Sequence, residues 1–244
     1  MKRIAWIGIL GLAASVASAA ARDAKADVKA AAKKLQEASG YGWTSTSKSE
    51  GAAPGGQNRP QAGPTEGKIE KGGFACIKST FGETTTEAVL KGGKVAVKTA
   101  DGWKAGSEFQ GGQQGRRDPA AGMAQRLATF KEPAVEAETL VDSIADLKDE
   151  GEGLFSGALS EDGVKALLTR GGRPGGQAPT VAEPKGSAKF WVKDGGLVKY
   201  ELNVQGKMTF GEREIALNRT TTVEFKDVGS TKVEVAEDAK KKLE

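Results

Sequence analysis

Between residues 198 and 226 the sequence twice alternates apolar and polar side chains. Val198, Tyr200, Leu202 and Val204 are interleaved with Lys199, Glu201, Asn203 and Gln205. Further on, Ile215, Leu217, Arg219, Thr221, Val223 and Phe225 are interleaved with Glu214, Asn218, Thr220, Thr222, Glu224 and Lys226. A period of two puts the two sets on opposite faces of a strand. Both runs outlast the usual strand of roughly five or six residues. Long antiparallel neighbours with one apolar face predict a large curved sheet with its concave side covered by helices. The expected fold is α+β: a large curved antiparallel sheet with several helices across the concave face.

The rest of the chain supplies parts for that sheet. Ala24, Val28, Ala31 and Leu35 recur at helical spacing and predict a helix over 23–39, opened by Asp23 and ended by Gly40. Tyr41 and Trp43 share one face of a strand that runs to Lys48, and further strands are expected over 74–80, 83–90 and 94–100. Lys91-Gly92-Gly93 makes a hairpin turn between the last two. Helices are expected over 119–130 and 134–148, each with a proline at or near its start, then a strand over 154–159 and a helix over 161–168 capped by Ser160. A strand over 187–193 leads through Gly195-Gly196 into the first alternating run. A strand over 231–235 and a short basic helix over 237–243 close the chain. Three Gly/Pro/Gln-rich stretches, near 50–67, 110–118 and 170–186, read as loops within one domain spanning 20–244.

The first residues point to export. Lys2 and Arg3 precede an apolar run over 4–16, followed by Ala17-Ser18-Ala19. That is the layout of a secretory signal peptide over 1–19, with cleavage expected after Ala19 and Ala21 as the other position. The run is shorter than the ~20 apolar residues of a spanning helix, and no later stretch reaches that length. The expected product is a periplasmic protein, not membrane-spanning, with peripheral membrane contact left open.

Composition narrows the chemistry. The chain has no histidine, so the commonest general base and metal ligand are both missing, and its single cysteine, Cys76, rules out an internal disulfide. No nucleophile elbow, phosphate-binding loop or dinucleotide fingerprint occurs. The expectation is a non-catalytic protein without cofactor or metal. Net charge is +4, falling to +2 without Lys2 and Arg3, which argues against nucleic-acid binding. Asp142, Asp146 and Asp149 would share one face if the helix ran to Lys148, either as a solvated stripe or as ligands for a hard cation. Lys240-Lys241-Lys242 either complements a helix C-terminus or meets lipid headgroups.

Arg219 stands out because it falls on the face that otherwise carries Ile215, Leu217, Val223 and Phe225. A guanidinium there needs partners. It either holds a carboxylate, phosphate or carbonyl inside a concavity, or it turns outward at a bulge or forms a structural ion pair.

In this order of elements the chain resembles the outer-membrane lipoprotein carriers (LolA/LolB-like) and related lipid-carrying envelope proteins. The residues that carry the likeness are Trp43 after the first helix, Gly92-Gly93-Lys94 with Val95 and Val97, Gly102-Trp103, Trp191 with Gly196-Leu197 and Lys199-Tyr200, and the closing Thr220-Thr221-Thr222, Phe225, Asp227-Val228-Gly229 and Val233-Glu234-Val235. The resemblance implies a half-barrel with a helical lid and an apolar cavity for the acyl chain of a lipid or lipoprotein. The cavity candidates are Arg219, Trp43, Tyr200, Leu202, Leu217, Val223 and Phe225. The three glycine-rich loops depart from that family. They suit the competing expectation of an envelope scaffold or interaction module with a filled core.

Overall fold

The first helix among the described residues turns a face to the core in which three of five side chains are alanine. In the computed structural model, which describes residues 23–50, 62–109, 118–169, 179–211 and 213–244, α1 spans Ala24–Glu37. Asp23 caps it, its side chain accepting from the amides of Lys25 and Ala26 at 3.1 and 3.3 Å. The buried face is Ala24, Val28, Ala31, Ala32 and Leu35. Small side chains let the helix lie close on the sheet beneath it.

Among the described residues, eleven antiparallel strands form that sheet. They are β1 (Gly40–Glu50), β2 (Ala62–Glu70), β3 (Ala75–Phe81), β4 (Thr84–Lys91), β5 (Lys94–Thr99), β6 (Gly102–Ala105), β7 (Lys148–Gly151), β8 (Leu154–Ala158), β9 (Thr180–Lys193), β10 (Gly196–Phe210) and β11 (Arg213–Lys226). Their order is β6-β5-β4-β3-β2-β1-β11-β10-β9-β8-β7. Two meanders are thus joined by one long-range pairing, Gly42–Glu50 of β1 against residues 218–226 of β11. The sheet stays open, ending in the short strands β6 and β7. With its helices it is the α+β curved sheet that the alternation predicted.

The helices α2 (Pro119–Leu127), α3 (Pro133–Asp142) and α4 (Glu161–Thr169) join α1 on the concave face. α1 packs on β9, β10 and α3, α2 on β4 and β5, and α4 on β9 and β10. The main core lies between them and the sheet. A short fifth helix, α5 (Glu237–Lys241), lies on the opposite face, where Ala239 and Leu243 meet Val89 and Ala96.

Several boundaries differ from the sequence reading. Residues 62–67, expected in a loop, belong to β2, and 180–186 belong to β9. Both segments carry a proline, and in each it sits at a break in the ladder register, where a missing N–H costs no hydrogen bond: Pro64 between Ala62 and Thr65, and Pro184 between Ala182 and Lys185. Residues 51–61, 110–117 and 170–178 of the three glycine-rich stretches, like the segment read as a signal peptide, lie outside the described residues. The second predicted helix stops at Asp142 rather than Lys148, because Ile144 bridges Leu159 and the Ser143 carbonyl accepts from Ser160 N at 2.7 Å. The first ends at Leu127, short of Phe130. Val198 is not buried: a register shift between Leu197 and Lys199 puts Leu197 inside, leaving Val198 39% exposed. Residues 231–235 form no ladder, and Thr231 instead bonds back to the Asp227 carbonyl.

Candidate functional site on the concave face

The predicted site residues divide into two groups along the concave face. Trp43, Tyr200, Leu202 and Val223 are all buried in the core. Trp43 stacks on Phe130 with ring centroids 6.0 Å apart and meets Tyr41 at 5.9 Å. The Tyr200 hydroxyl donates to Glu136 Oε2 on α3 at 3.0 Å, and its ring meets Phe190 and Phe225. Together these side chains fill the space between sheet and helices. A ligand would reach them only by lifting that layer.

Arg219 and Leu217 lie further along, where β11 runs toward the end of the sheet that carries Glu50. Both are half-buried. Arg219 stands between Ser49 of β1 and Val204 of β10, and its Nε is buried with no hydrogen-bond partner among the described residues. Leu217 pairs with Gly206, over which Leu168 of α4 reaches. Met208, Val181 and Leu167 continue the half-buried apolar floor. Phe225, also half-buried, belongs instead to the core end, edge-on to Tyr41 at 5.7 Å.

Between the two groups runs a feature that the sequence reading missed, a belt of hydroxyls across the concave face. Register aligns Thr221 with Ser47, and Ser45 with Thr65, then Ser79, then Thr86, across β11, β1, β2, β3 and β4. Ser47 and Thr221 hydroxyls lie 3.0 Å apart, and those of Thr65 and Ser79 3.1 Å. All six residues are half-buried. The clue in the sequence is Thr44-Ser45-Thr46-Ser47, where polarity continues on both strand faces after Trp43 stops the apolar one.

Two groups under the helices have displaced acidity. Burial pushes the Tyr41 hydroxyl well above the ordinary tyrosine value, and the Glu132 carboxylate adds to it. Burial likewise raises Glu132. The aspartate stripe does not form: Asp142 ends α3 and pairs with Lys29, Asp146 lies beyond the helix, and Asp149 is in β7. Among the described residues no cluster of His, Cys, Asp and Glu is placed to hold a metal ion, and no helix is long and apolar enough to cross a membrane.

No protein-family model matches the chain, and no curated protein matches it in sequence. Solved structures are similar to it in fold. The lipoprotein LppX of Mycobacterium tuberculosis is similar at 12% identity and TM-score 0.49, over 87% of this chain and 98% of its own. LprF of Mycobacterium bovis is similar at 11% identity and TM-score 0.45, over 86% and 94%. A LolA superfamily protein of Nitrosomonas europaea is similar at 9% identity and TM-score 0.29, again over 86% and 94%.

Proposed function

We propose that this chain is an exported, non-catalytic binding protein that holds an amphiphilic ligand, a lipid or the acylated end of a protein, on the open part of its concave face. The observation that carries the reading is Arg219, whose Nε is buried without a hydrogen-bond partner among the described residues, on a floor otherwise formed by Leu217, Met208, Val181 and Leu167. A buried polar group left unpaired costs about 1–3 kcal/mol. An anionic or carbonyl head placed there would recover that cost through a charge-assisted hydrogen bond, and its chain would cover apolar surface worth about 25 cal/mol per Å². The hydroxyl belt offers further donors and acceptors beside the head.

The experiment is to express residues 20–244, purify without detergent, and compare native with denaturing mass spectra for bound lipid, then titrate oleate into the wild type and Arg219→Leu. Acyl adducts lost on denaturation, with at least tenfold weaker oleate binding by the variant, are expected. A clean apo mass with no uptake of oleate or phospholipid sinks the reading.

That outcome would favour the second reading, an envelope scaffold. The filled core around Trp43 and Tyr200 supports it, as do two hollows on the opposite face of the sheet: one of about 340 Å³ beside α5 and a polar one of about 270 Å³ over β1, β10 and β11.

A further inference from the structure

The polar hollow lies on the face of the sheet turned away from α1 to α4, where β1, β11 and β10 run side by side, and its floor is threonine. Trp43, Val223 and Tyr200 point into the core, so strand alternation turns Thr44 and Thr46 of β1, with Thr220 and Thr222 of β11, to the other side. Register sets Thr46 against Thr222, with Glu201 of β10 next in the same row. Longer side chains, Lys48, Glu50, Glu201 and Glu224, stand around these short ones and leave a depression of about 270 Å³. Strands ~4.8 Å apart, with same-face residues roughly 7 Å apart along each, give the four threonines the footprint of one sugar ring.

The charges at the rim are already cancelled. Glu201 pairs with Lys189 at 3.7 Å and Glu224 with Lys199 at 3.8 Å, while Glu50 accepts from Asn218 Nδ2 at 2.9 Å. Lys48, Lys189 and Lys199 thus stand against Glu50, Glu201 and Glu224, three against three. Both ion pairs use Oε1, so Oε2 of Glu201 and of Glu224 can still accept. Asn203 Nδ2 donates to Asn218 Oδ1 at 3.0 Å and to Thr220 Oγ1 at 2.9 Å, and Gln205 Nε2 donates to Asn203 Oδ1 at 3.0 Å, which fixes the amides beside the floor. The hydroxyls of Thr44, Thr46 and Thr222 have no hydrogen-bond partner among the described residues, and each can both donate and accept.

We propose that this hollow seats one ring of an uncharged glycan, held by hydrogen bonds to Thr46, Thr222 and Glu201, with the chain lying across the strands. Sugar hydroxyls match a floor of hydroxyls and a rim of carboxylate acceptors, and a hydrogen bond to a carboxylate is the stronger kind. No apolar side chain lines the hollow, so it offers nothing to an acyl chain or to the apolar centre of a protein interface. Balanced charge gives no hold on a polyanion. Along the row through Glu224 and Lys199 the chain would reach Trp191 on β9, a half-buried ring 4.6 Å from the Lys199 ammonium. The inference stands apart from whether the concave face holds a lipid.

The test is calorimetric titration of the purified protein with chitohexaose and cellohexaose, both uncharged, and with a galacturonic acid hexamer. Wild type should bind a neutral hexamer equally in low and high salt and ignore the anionic one. Thr46→Val with Thr222→Val keeps the β-branched shape and removes two hydroxyls. At about fivefold per lost hydrogen bond, binding should weaken roughly twenty-five-fold. Thr46→Ser with Thr222→Ser keeps both hydroxyls and should stay within about threefold of wild type. Glu201→Gln leaves the floor intact and should lose about fivefold or more even if the valine variant fails to fold. Failure of wild type to bind either neutral hexamer, undiminished binding by the folded valine variant, or a salt-sensitive preference for the galacturonate would overturn the proposal. So would a dimer that the valine variant no longer forms, with no glycan bound, which would assign this face to a protein contact. Oleate uptake is read separately, so failure here leaves the concave-face reading untouched.

Discussion

The indole of Trp43 lies flat against the backbone of Gly67, its direct partner across β1 and β2, so closely that a Cβ on Gly67 would stand 1.9 Å from Trp43 Cζ2. Any side chain at position 67 would push the ring off its seat and out of its stack on Phe130. Overpacking of this kind costs about 1–3 kcal/mol. For a chain of this size that is a fall in Tm of roughly 3–10 °C, expected for Gly67→Ala in thermal melts followed by near-ultraviolet circular dichroism, where the tryptophan signal should also change. An unchanged Tm would mean that the indole has a second seat available.

The same contact shows why part of the fold was illegible in the sequence. Gly67 looks like a loop residue, and Gly63 and Pro64 nearby strengthen that impression, yet all three lie in β2 because Trp43 needs a partner without a side chain. Likewise Pro184 and Gly186 disguise the first half of β9, where a register shift takes up the proline and Val164 and Leu159 crowd over the glycine. The helix-period and strand-period segments were legible: α1, α4, β10 and β11 fall where apolar spacing puts them, because each buries a single face. Val198 broke its pattern because a bulge is a property of two strands together. The site followed the same logic. Arg219 was visible as a charge on an apolar face, but the hydroxyl belt depends on the register between five strands, which no single segment encodes.

Gly206 gives a second test of close approach, this time beside the proposed binding floor. A Cβ there would stand 2.9 Å from Leu168 Cδ1 and 3.3 Å from the Ala182 carbonyl. The first neighbour is the tip of a flexible side chain and can yield. Gly206→Ala should therefore cost only about 1 kcal/mol, and Leu168→Ala about 2–5 kcal/mol through lost packing. In the double variant the new methyl partly fills the space left by Leu168, so the effects should fall short of additive by about 0.5 kcal/mol or more in urea denaturation. Strict additivity would show that α4 does not rest on Gly206 in solution.

Arg219 should separate stability from binding. With its Nε buried and unpaired among the described residues, the guanidinium gives the apo fold little, and a methionine of similar length keeps the packing of its stem. Arg219→Met should leave the urea midpoint unchanged or raise it, while weakening the binding of any anionic amphiphile. A loss of about 3–5 kcal/mol would instead identify Arg219 as half of a buried ion pair, the class of interaction whose disruption costs that much.

Glu132 makes the pH dependence of the helical layer predictable in sign. It sits at the N-cap of α3 without a capping hydrogen bond, and burial raises its pKa above the ordinary 4.5. A carboxyl raised in the folded state binds its proton more tightly there than in the unfolded chain. Its stabilising contribution is therefore complete below pH 4.5 and is lost as pH rises through the folded value. Glutamine has the shape of the protonated acid and never ionises. Glu132→Gln should therefore raise Tm at pH 7, and the difference from wild type should shrink to nothing below pH 4.5 in melts run across the acidic range. Because the Glu132 charge also helps hold the Tyr41 hydroxyl above its ordinary value, the variant should bring the tyrosine titration down, measurable by ultraviolet absorbance as far as the fold survives alkali. A lower Tm for the variant at pH 7 would show that attraction between the carboxylate and the N-terminus of α3 outweighs the cost of burying the charge.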